Sequence, residues 1–262
     1  MKKNEQVISV VKTMALLETL SKTEELGVTE ISRIVGSSKS TVYRFLNTLV
    51  QLGYVRQNTE TEKYSLTLRT FQVGVHALNR LDLYKAALPF MKDLAVKTEE
   101  TIHLASIENG RVFYVDKIES TQALKVAMSS AQGRFVSSIH SAVGKAILSW
   151  QGADEQEKII DNADWNPATP HSVRTKEDLY NDINQSRSNG YSLDWEENEK
   201  GVRCIAAPIF DDRNIVCAAL SISGPSIRMS KKHVIDELAP LVMHAATEIS
   251  RSLGSTEIKK SL

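Results

Sequence analysis

Residues 38–52 narrow what this chain folds into more than any other stretch. Val42, Phe45, Leu46, Leu49 and Val50 recur at helical spacing and form an apolar stripe, while Lys39, Ser40, Tyr43, Arg44 and Asn47 fall on the opposite face. That face offers donors and acceptors long enough to reach base edges, with cations for phosphates; small Ser40 and Thr41 near the helix start let the backbone approach a groove closely. Upstream, a shorter helix is expected with Thr29 as its cap and Ile31, Ile34 and Val35 inward. Gly36 sits where a left-handed helix end is wanted, and Ser37 or Ser38 then caps the long helix. An amphipathic helix over 5–22, with Val7, Val10, Val11, Met14, Leu17 and Leu20 on one stripe, precedes both. Gly53 stops the long helix, and 54–56 and 64–66 flank a polar turn, 58–62, as a two-stranded wing carrying Arg56 and Lys63. Two helices about a Gly-containing turn, then a wing, predict a winged helix-turn-helix over residues 1–70. Its candidate DNA contacts are Ser38, Lys39, Ser40, Thr41, Tyr43, Arg44, Asn47, Arg56 and Lys63. The bland alternative is a three-helix bundle whose third helix merely has a solvated face.

Charge placement favours the nucleic-acid reading. Residues 1–81 hold 11 Lys/Arg against 7 Asp/Glu, a balance of +4, and the other 181 hold 21 against 25, a balance of −4. The formal net charge of zero thus hides a basic front and a mildly acidic back. No run approaches the roughly 20 apolar residues that cross a bilayer, no secretion signal opens the chain, and the two cysteines make neither a disulfide framework nor a Cys-only zinc site. A cytoplasmic protein without metal or cofactor is expected.

Phe71, Gly74, Val75, Leu78 and Leu81 suggest a linker helix over 71–81, for which a second copy of itself is a plausible partner. Residues 82–262 predict an α+β domain: a helix stripe from Leu83 to Leu94, strands 101–106 and 111–117 joined at Asn109-Gly110, a strand 125–130, and a helix 141–150. A helix 175–189 between Thr175 and Gly190 follows, then strands 202–210 and 215–223 and a helix 230–253, giving an antiparallel sheet with flanking helices.

Three features of this domain converge on a ligand pocket if the strands share a sheet. Ser221 and Ser223 point the same way, Val202 and Cys204 share a face of the neighbouring strand, and residues 141–144 open a helix whose free N–H groups suit an anion. Asp194 lies just upstream, able to accept from a ligand hydroxyl but repelling a carboxylate. The expected pose therefore puts the acid end at the helix start and the hydroxyl end toward Asp194. Taken singly, each has a dull explanation: satisfied core serines, a small buried Cys204, a solvated acidic loop, a glycine needed for packing.

The stretches Leu26-Gly-Val-Thr-Glu-Ile-Ser32, Ser38-Lys-Ser-Thr-Val-Tyr-Arg-Phe-Leu46, Leu52-Gly-Tyr-Val-Arg56 and Tyr64-Ser-Leu-Thr-Leu68 resemble the DNA-binding domain of the IclR family of transcription regulators. Gly190-Tyr-Ser-Leu-Asp194, Glu196-Glu-Asn198, Gly201-Val-Arg-Cys-Ile-Ala206 and Ser221-Ile-Ser-Gly-Pro225 are similar to the family's effector domain. Within the family the first set is similar to repressors of pectin catabolism that respond to 2-keto-3-deoxygluconate. The resemblance implies a GAF-like/profilin-like effector domain over 82–262 and a homodimer or homotetramer on pseudo-palindromic operator DNA. It further implies polar effector contacts at Asp194, Cys204, Ser221 and Ser223, apolar ones at Met128, Val136 and Val202, and backbone ones at Ala142 and Val143. Ala142, where some members have Gly, and the 133–138 loop depart from the pattern, and Arg134 is an extra candidate for a ligand's acid group. The leading expectation is a repressor of sugar-acid catabolism genes released by a small keto or hydroxy acid. Alternatives are a DNA-binding protein whose C-terminal domain only oligomerises, or a cysteine or serine enzyme. Against the enzyme, no nucleophile elbow, phosphate loop or HExxH motif is present, and of six histidines only His103 and His140 lie near the proposed pocket.

Overall fold

The computed structural model describes residues 7–78, 82–124 and 130–256. The chain divides into two compact units, 1–80 and 81–262.

The first unit runs α1 (Ile8–Leu20), α2 (Val28–Val35), α3 (Lys39–Gln51), β1 (Val55–Gln57), β2 (Tyr64–Leu66) and α4 (Leu68–Leu78). Its core is Leu16 and Leu20 from α1, Ile31 from α2, Val42, Leu46 and Leu49 from α3, and Val55 and Tyr64 from the strands. Local chemistry sets each boundary. Gly27, not Thr29, caps α2: its N–H donates to the Glu30 carboxylate at 3.0 Å, while Thr29 lies inside the first turn. Gly36 ends that helix at φ 63, and Ser38 begins the next by accepting from the Thr41 N–H at 3.3 Å. Strands β1 and β2 pair antiparallel, Arg56 opposite Ser65. Glu25 ties the wing tip down by accepting from Asn58 (3.0 Å) and Thr61 (3.1 Å). Helix α4 starts at Leu68 rather than 71, because Thr67 accepts from the Arg69 N–H at 3.2 Å; residues 79–81 of the expected linker lie outside the described residues.

Helix α1 departs from its expected stripe. The stripe's last two members hold, Leu20 in the core beside Leu16 and Leu17 packed against it, whereas Val7, Val10, Val11 and Met14 are exposed, as are Leu68, Phe71 and Val73 on α4. The amino-terminal half of α1 is apolar on more than one side, so periodicity alone misplaces the stripe there. Val50, expected inward on α3, is also exposed.

In the second unit, α5 (Asp82–Thr98) leads into β3 (Thr101–Glu108) and β4 (Arg111–Ile118), whose turn places Asn109 and Gly110 at φ 52 and 74. Then come α6 (Ala142–Ser149), α7 (Ala153–Asp161), α8 (Lys176–Asn189), β5 (Ser192–Trp195), β6 (Val202–Phe210) and β7 (Val216–Pro225). A helical run closes the unit: α9 (Lys231–His233), a π-turn over Val234–Leu238, and α10 (Ala239–Ser252). The five strands form one antiparallel sheet in the order β4-β3-β7-β6-β5. Helix α6 packs with Val202, Cys204 and Ala206; α5 and α10 pack against the sheet as well. Helix α7 and strand β5 carry no expectation from sequence, and 125–129 of the expected strand 125–130 lie outside the described residues. Among the described residues no helix is long and apolar enough to cross a membrane.

Candidate functional sites

The first candidate surface is α3. Packing Val42, Leu46 and Leu49 into the core forces the opposite side outward, and Ser38, Lys39, Ser40, Tyr43 and Arg44 are all exposed. Thr41 and Asn47 are half-buried at the edges of that face. On the wing, Arg56 and Lys63 are exposed, and the Arg56 Nε donates to Ser65 at 3.1 Å, which steadies the side chain along the strand. The face combines cations with hydrogen-bonding side chains, as contact with phosphates and base edges requires.

The second is a chamber in the other unit. Antiparallel register puts Asp194 opposite Cys204 and Cys204 opposite Ser223, so one row of side chains crosses β5, β6 and β7. Alternation adds Val202 and Ser221 to the same face. The start of α6 closes the chamber, with Ser141, Ala142 and Val143 in its wall; Ser141 caps the helix by accepting from the Gly144 N–H at 3.0 Å. Asp194, Val202, Cys204, Ser221, Ser223, Ala142 and Val143 thus line a single cavity. Its free space is about 10 Å³, room for about one water. Val136 lines instead an adjoining cleft of about 260 Å³, together with Arg134. Met128 lies outside the described residues.

Sequence reasoning missed much of the wall. Tyr114 on β4, with Asn198 and Glu199 from the turn after β5, lines both chamber and cleft. Residues 133–136 lie against β4, the Tyr114 N–H donating to the Arg134 carbonyl (3.0 Å) and the Val136 N–H to the Val112 carbonyl (3.0 Å). Buried Lys145 was also missed; its ammonium reaches Glu197 at 2.7 Å and Asp182 at 2.7 Å. An α6 lysine reads as a solvated charge until its partners on the β5 turn and α8 are known.

The turn 196–201 is held from several sides. Asp194 Oδ1 accepts from the N–H groups of Glu197 (2.7 Å) and Asn198 (3.3 Å). Glu196, at φ 64, accepts from the Gly201 N–H and pairs with Arg203 at 3.1 Å. Ser172 donates to the Glu197 carbonyl at 2.6 Å. Burial first, then the Glu197 charge, raises the Asp194 carboxyl to about 7, against the pull of Lys145 and the two N–H donors. Burial and the Asp194 charge push the Cys204 thiol well up, so it sits there as a neutral thiol rather than a nucleophile. Burial would strip the Lys145 proton, but the charges and hydrogen bonds of Glu197 and Asp182 outweigh it and hold the ammonium above its ordinary range. His103, behind Ser223 and 2.9 Å from Ser130 Oγ, is pushed down to about 3 by burial and Lys117, and is neutral near pH 7. His140 Nε2 lies 3.0 Å from the Val173 carbonyl.

A winged helix-turn-helix unit with an exposed, cation-bearing third helix, joined in one chain to a sheet unit with a small polar chamber, defines the class of DNA-binding transcription regulators. The chain matches the IclR helix-turn-helix domain over residues 9–59 and the C-terminal domain of bacterial transcriptional regulators of the IclR type over residues 75–251; it belongs to the IclR family. It is 40% identical over 253 residues to the HTH-type transcriptional regulator KdgR of Escherichia coli, covering 97% of this chain and 95% of that one. It is 41% identical to KdgR of Dickeya chrysanthemi, over 97% of this chain and 82% of the relative. The crystal structure of Thermotoga maritima IclR superposes with a TM-score of 0.77 at 28% identity, over 95% of this chain and 100% of that one. These relatives are transcription regulators and not enzymes, and so is this protein; regulators of the family bind operator DNA and a small-molecule effector and oligomerise.

Proposed function

We propose that the protein is a cytoplasmic repressor of sugar-acid catabolism genes. Residues 1–70 would bind the operator, 71–81 link, and 82–262 bind a small keto or hydroxy sugar acid and oligomerise. The observation that carries this reading is that Asp194, Cys204, Ser221, Ser223, Val202, Ala142 and Val143, drawn from four separate segments, line one chamber. Ser221 and Ser223 offer hydroxyls, and the Ala142 and Val143 N–H groups at the α6 start offer an anion site. About 10 Å³ of free space is too little for any sugar acid, so the acid must select a state in which the chamber has widened. Only such unequal binding to two states lets a ligand change DNA affinity, and a tenfold preference is worth about 1.4 kcal/mol. The relatives named KdgR support the sugar-acid class, and the exposed apolar residues of α1 and α4 supply a surface for a second copy.

A gel-shift titration on a genomic operator fragment tests both halves. Adding 2-keto-3-deoxygluconate should weaken operator binding by tenfold or more, and an unchanged affinity would argue against the repressor-inducer reading. Arg44→Ala should cost roughly 1–3 kcal/mol on the operator and much less on random DNA if Arg44 reads a base. Equal losses on both would make it a phosphate contact.

A further inference from the structure

Asp194 is 2% exposed, and the charges around it do not balance. Glu197 stands on the same turn, Glu199 lines the same chamber, and Asp182 reaches the cluster from α8. Asp194, Glu197, Glu199 and Asp182 thus set four carboxyl groups against one buried cation, Lys145, whose ammonium is already taken by Glu197 and Asp182. The other titratable groups on the chamber side add no positive charge. Tyr114 on β4 and Cys204 on β6 are kept protonated and neutral by burial, and His103 on β3 is neutral. Among the described residues that line the chamber none is Lys or Arg; Arg134 stands in the outer cleft, beyond Tyr114.

A carboxylate brought to the α6 start adds one more negative charge to this water-poor cluster, and a like charge favours the protonated form of a neighbouring carboxyl. We propose that the chamber takes a small monocarboxylic acid together with one proton, held on Asp194 as a neutral carboxyl that donates a hydrogen bond to the ligand. This rests on reading the chamber as the effector site, and it replaces the pose in which an ionised Asp194 accepts from a ligand hydroxyl. The balance is simple: the acid arrives as its anion, Asp194 Oδ gains one H⁺ from solvent, and release of the acid returns that proton. In the free protein burial and Glu197 already bring Asp194 to about 7. Below that pH the proton is in place and affinity is level; above it each binding event must draw a proton, and affinity falls about tenfold per pH unit. An ionised acceptor would give the opposite sign, with affinity level or rising as pH rises.

Titration calorimetry on the full chain, with 2-keto-3-deoxygluconate as probe, separates the cases. Measurements at about pH 6, 8 and 9, in two buffers of unlike ionisation heat, count the protons exchanged. The expected result is about one proton taken up per acid bound above neutrality, a Kd weakening about tenfold per pH unit, and Asp194→Asn binding with a level pH profile. The substituted amide keeps the oxygen that accepts from Glu197 and Asn198, and the proton count on the native chain stands even if that variant folds poorly. Binding with no proton exchanged and level affinity overturns the proposal while leaving the effector reading intact. Uptake that persists in Asp194→Asn also overturns it, moving the proton to Glu199. No binding at about pH 6, where Asp194 is already neutral, removes the effector reading for this probe and the proposal with it.

Discussion

Lys145→Ala is expected to destabilise the second unit by about 3–5 kcal/mol, because removing one partner of a buried ion pair leaves the other charge uncompensated. Lys145 is 3% exposed at its side chain and Glu197 9%, so water cannot replace the lost ammonium at Glu197. Asp182, at 32%, stays partly hydrated and contributes less to the loss. All three tryptophans, Trp150, Trp165 and Trp195, lie in the second unit, so urea unfolding followed by their fluorescence reads this unit alone. Lys145→Met combined with Glu197→Gln should recover much of the stability, since a neutral pair of similar volume no longer strands a charge. The pH dependence has a definite sign. The folded pKa of Lys145 lies above its unfolded value, so its contribution is complete below about pH 10.4 and is lost only as pH rises through the folded value. A loss under about 1 kcal/mol for Lys145→Ala would mean that the pair behaves as a solvated surface bridge.

The same cluster shows where sequence reading stops. Helices and strands with strong local signals were legible: Ser38 and Thr175 cap their helices, Asn109-Gly110 turns β3 into β4, and β6 spans 202–210 as its apolar run implies. Ser221, Ser223, Val202 and Cys204 could be put on one face because a strand's side chains alternate with period two. Asp194 came only through resemblance and an adjacent position, since β5 is four residues long and carries no clear alternation. Lys145, Tyr114 and Glu199 were illegible for a different reason. Their roles depend on partners 37 to 85 residues away in the chain, as with Lys145 and Asp182 or Tyr114 and Glu199, and no local pattern encodes such pairings. Thr29 failed as a cap because Glu30 offers the Gly27 N–H a carboxylate, which makes the glycine the better helix start. The stripe on α1 failed at Val7, Val10, Val11 and Met14 because apolar residues that face solvent within one unit look the same, in sequence, as those that face the core.

Gly144→Ala should both destabilise the second unit and abolish the response to acid. A Cβ at position 144 would stand 2.2 Å from the Ser137 carbonyl oxygen, 2.7 Å from Ser138 Cα and 2.8 Å from its carbonyl carbon. These are backbone atoms, and the Ser137 oxygen also accepts from Ser141 Oγ at 2.6 Å, so no flexible side-chain tip can swing aside. Either the 137–138 segment or the start of α6 must move. Overpacking typically costs about 1–3 kcal/mol and occasionally more, and the roughly 1 kcal/mol that alanine gains over glycine inside a helix offsets only part of it. Any shift of α6 carries Ala142 and Val143 with it, and both lie in the chamber wall. Thermal stabilisation by 2-keto-3-deoxygluconate should therefore vanish even at temperatures where the variant remains folded. Gly152→Ala is the matched control, because a Cβ there meets nothing within 4 Å and φ −62, ψ 154 suits any residue. That control should stay within about 1 kcal/mol of the native chain and keep its response. If Gly144→Ala were as stable and as responsive as Gly152→Ala, the close approach of α6 to the 137–138 backbone would have no part in shaping the chamber.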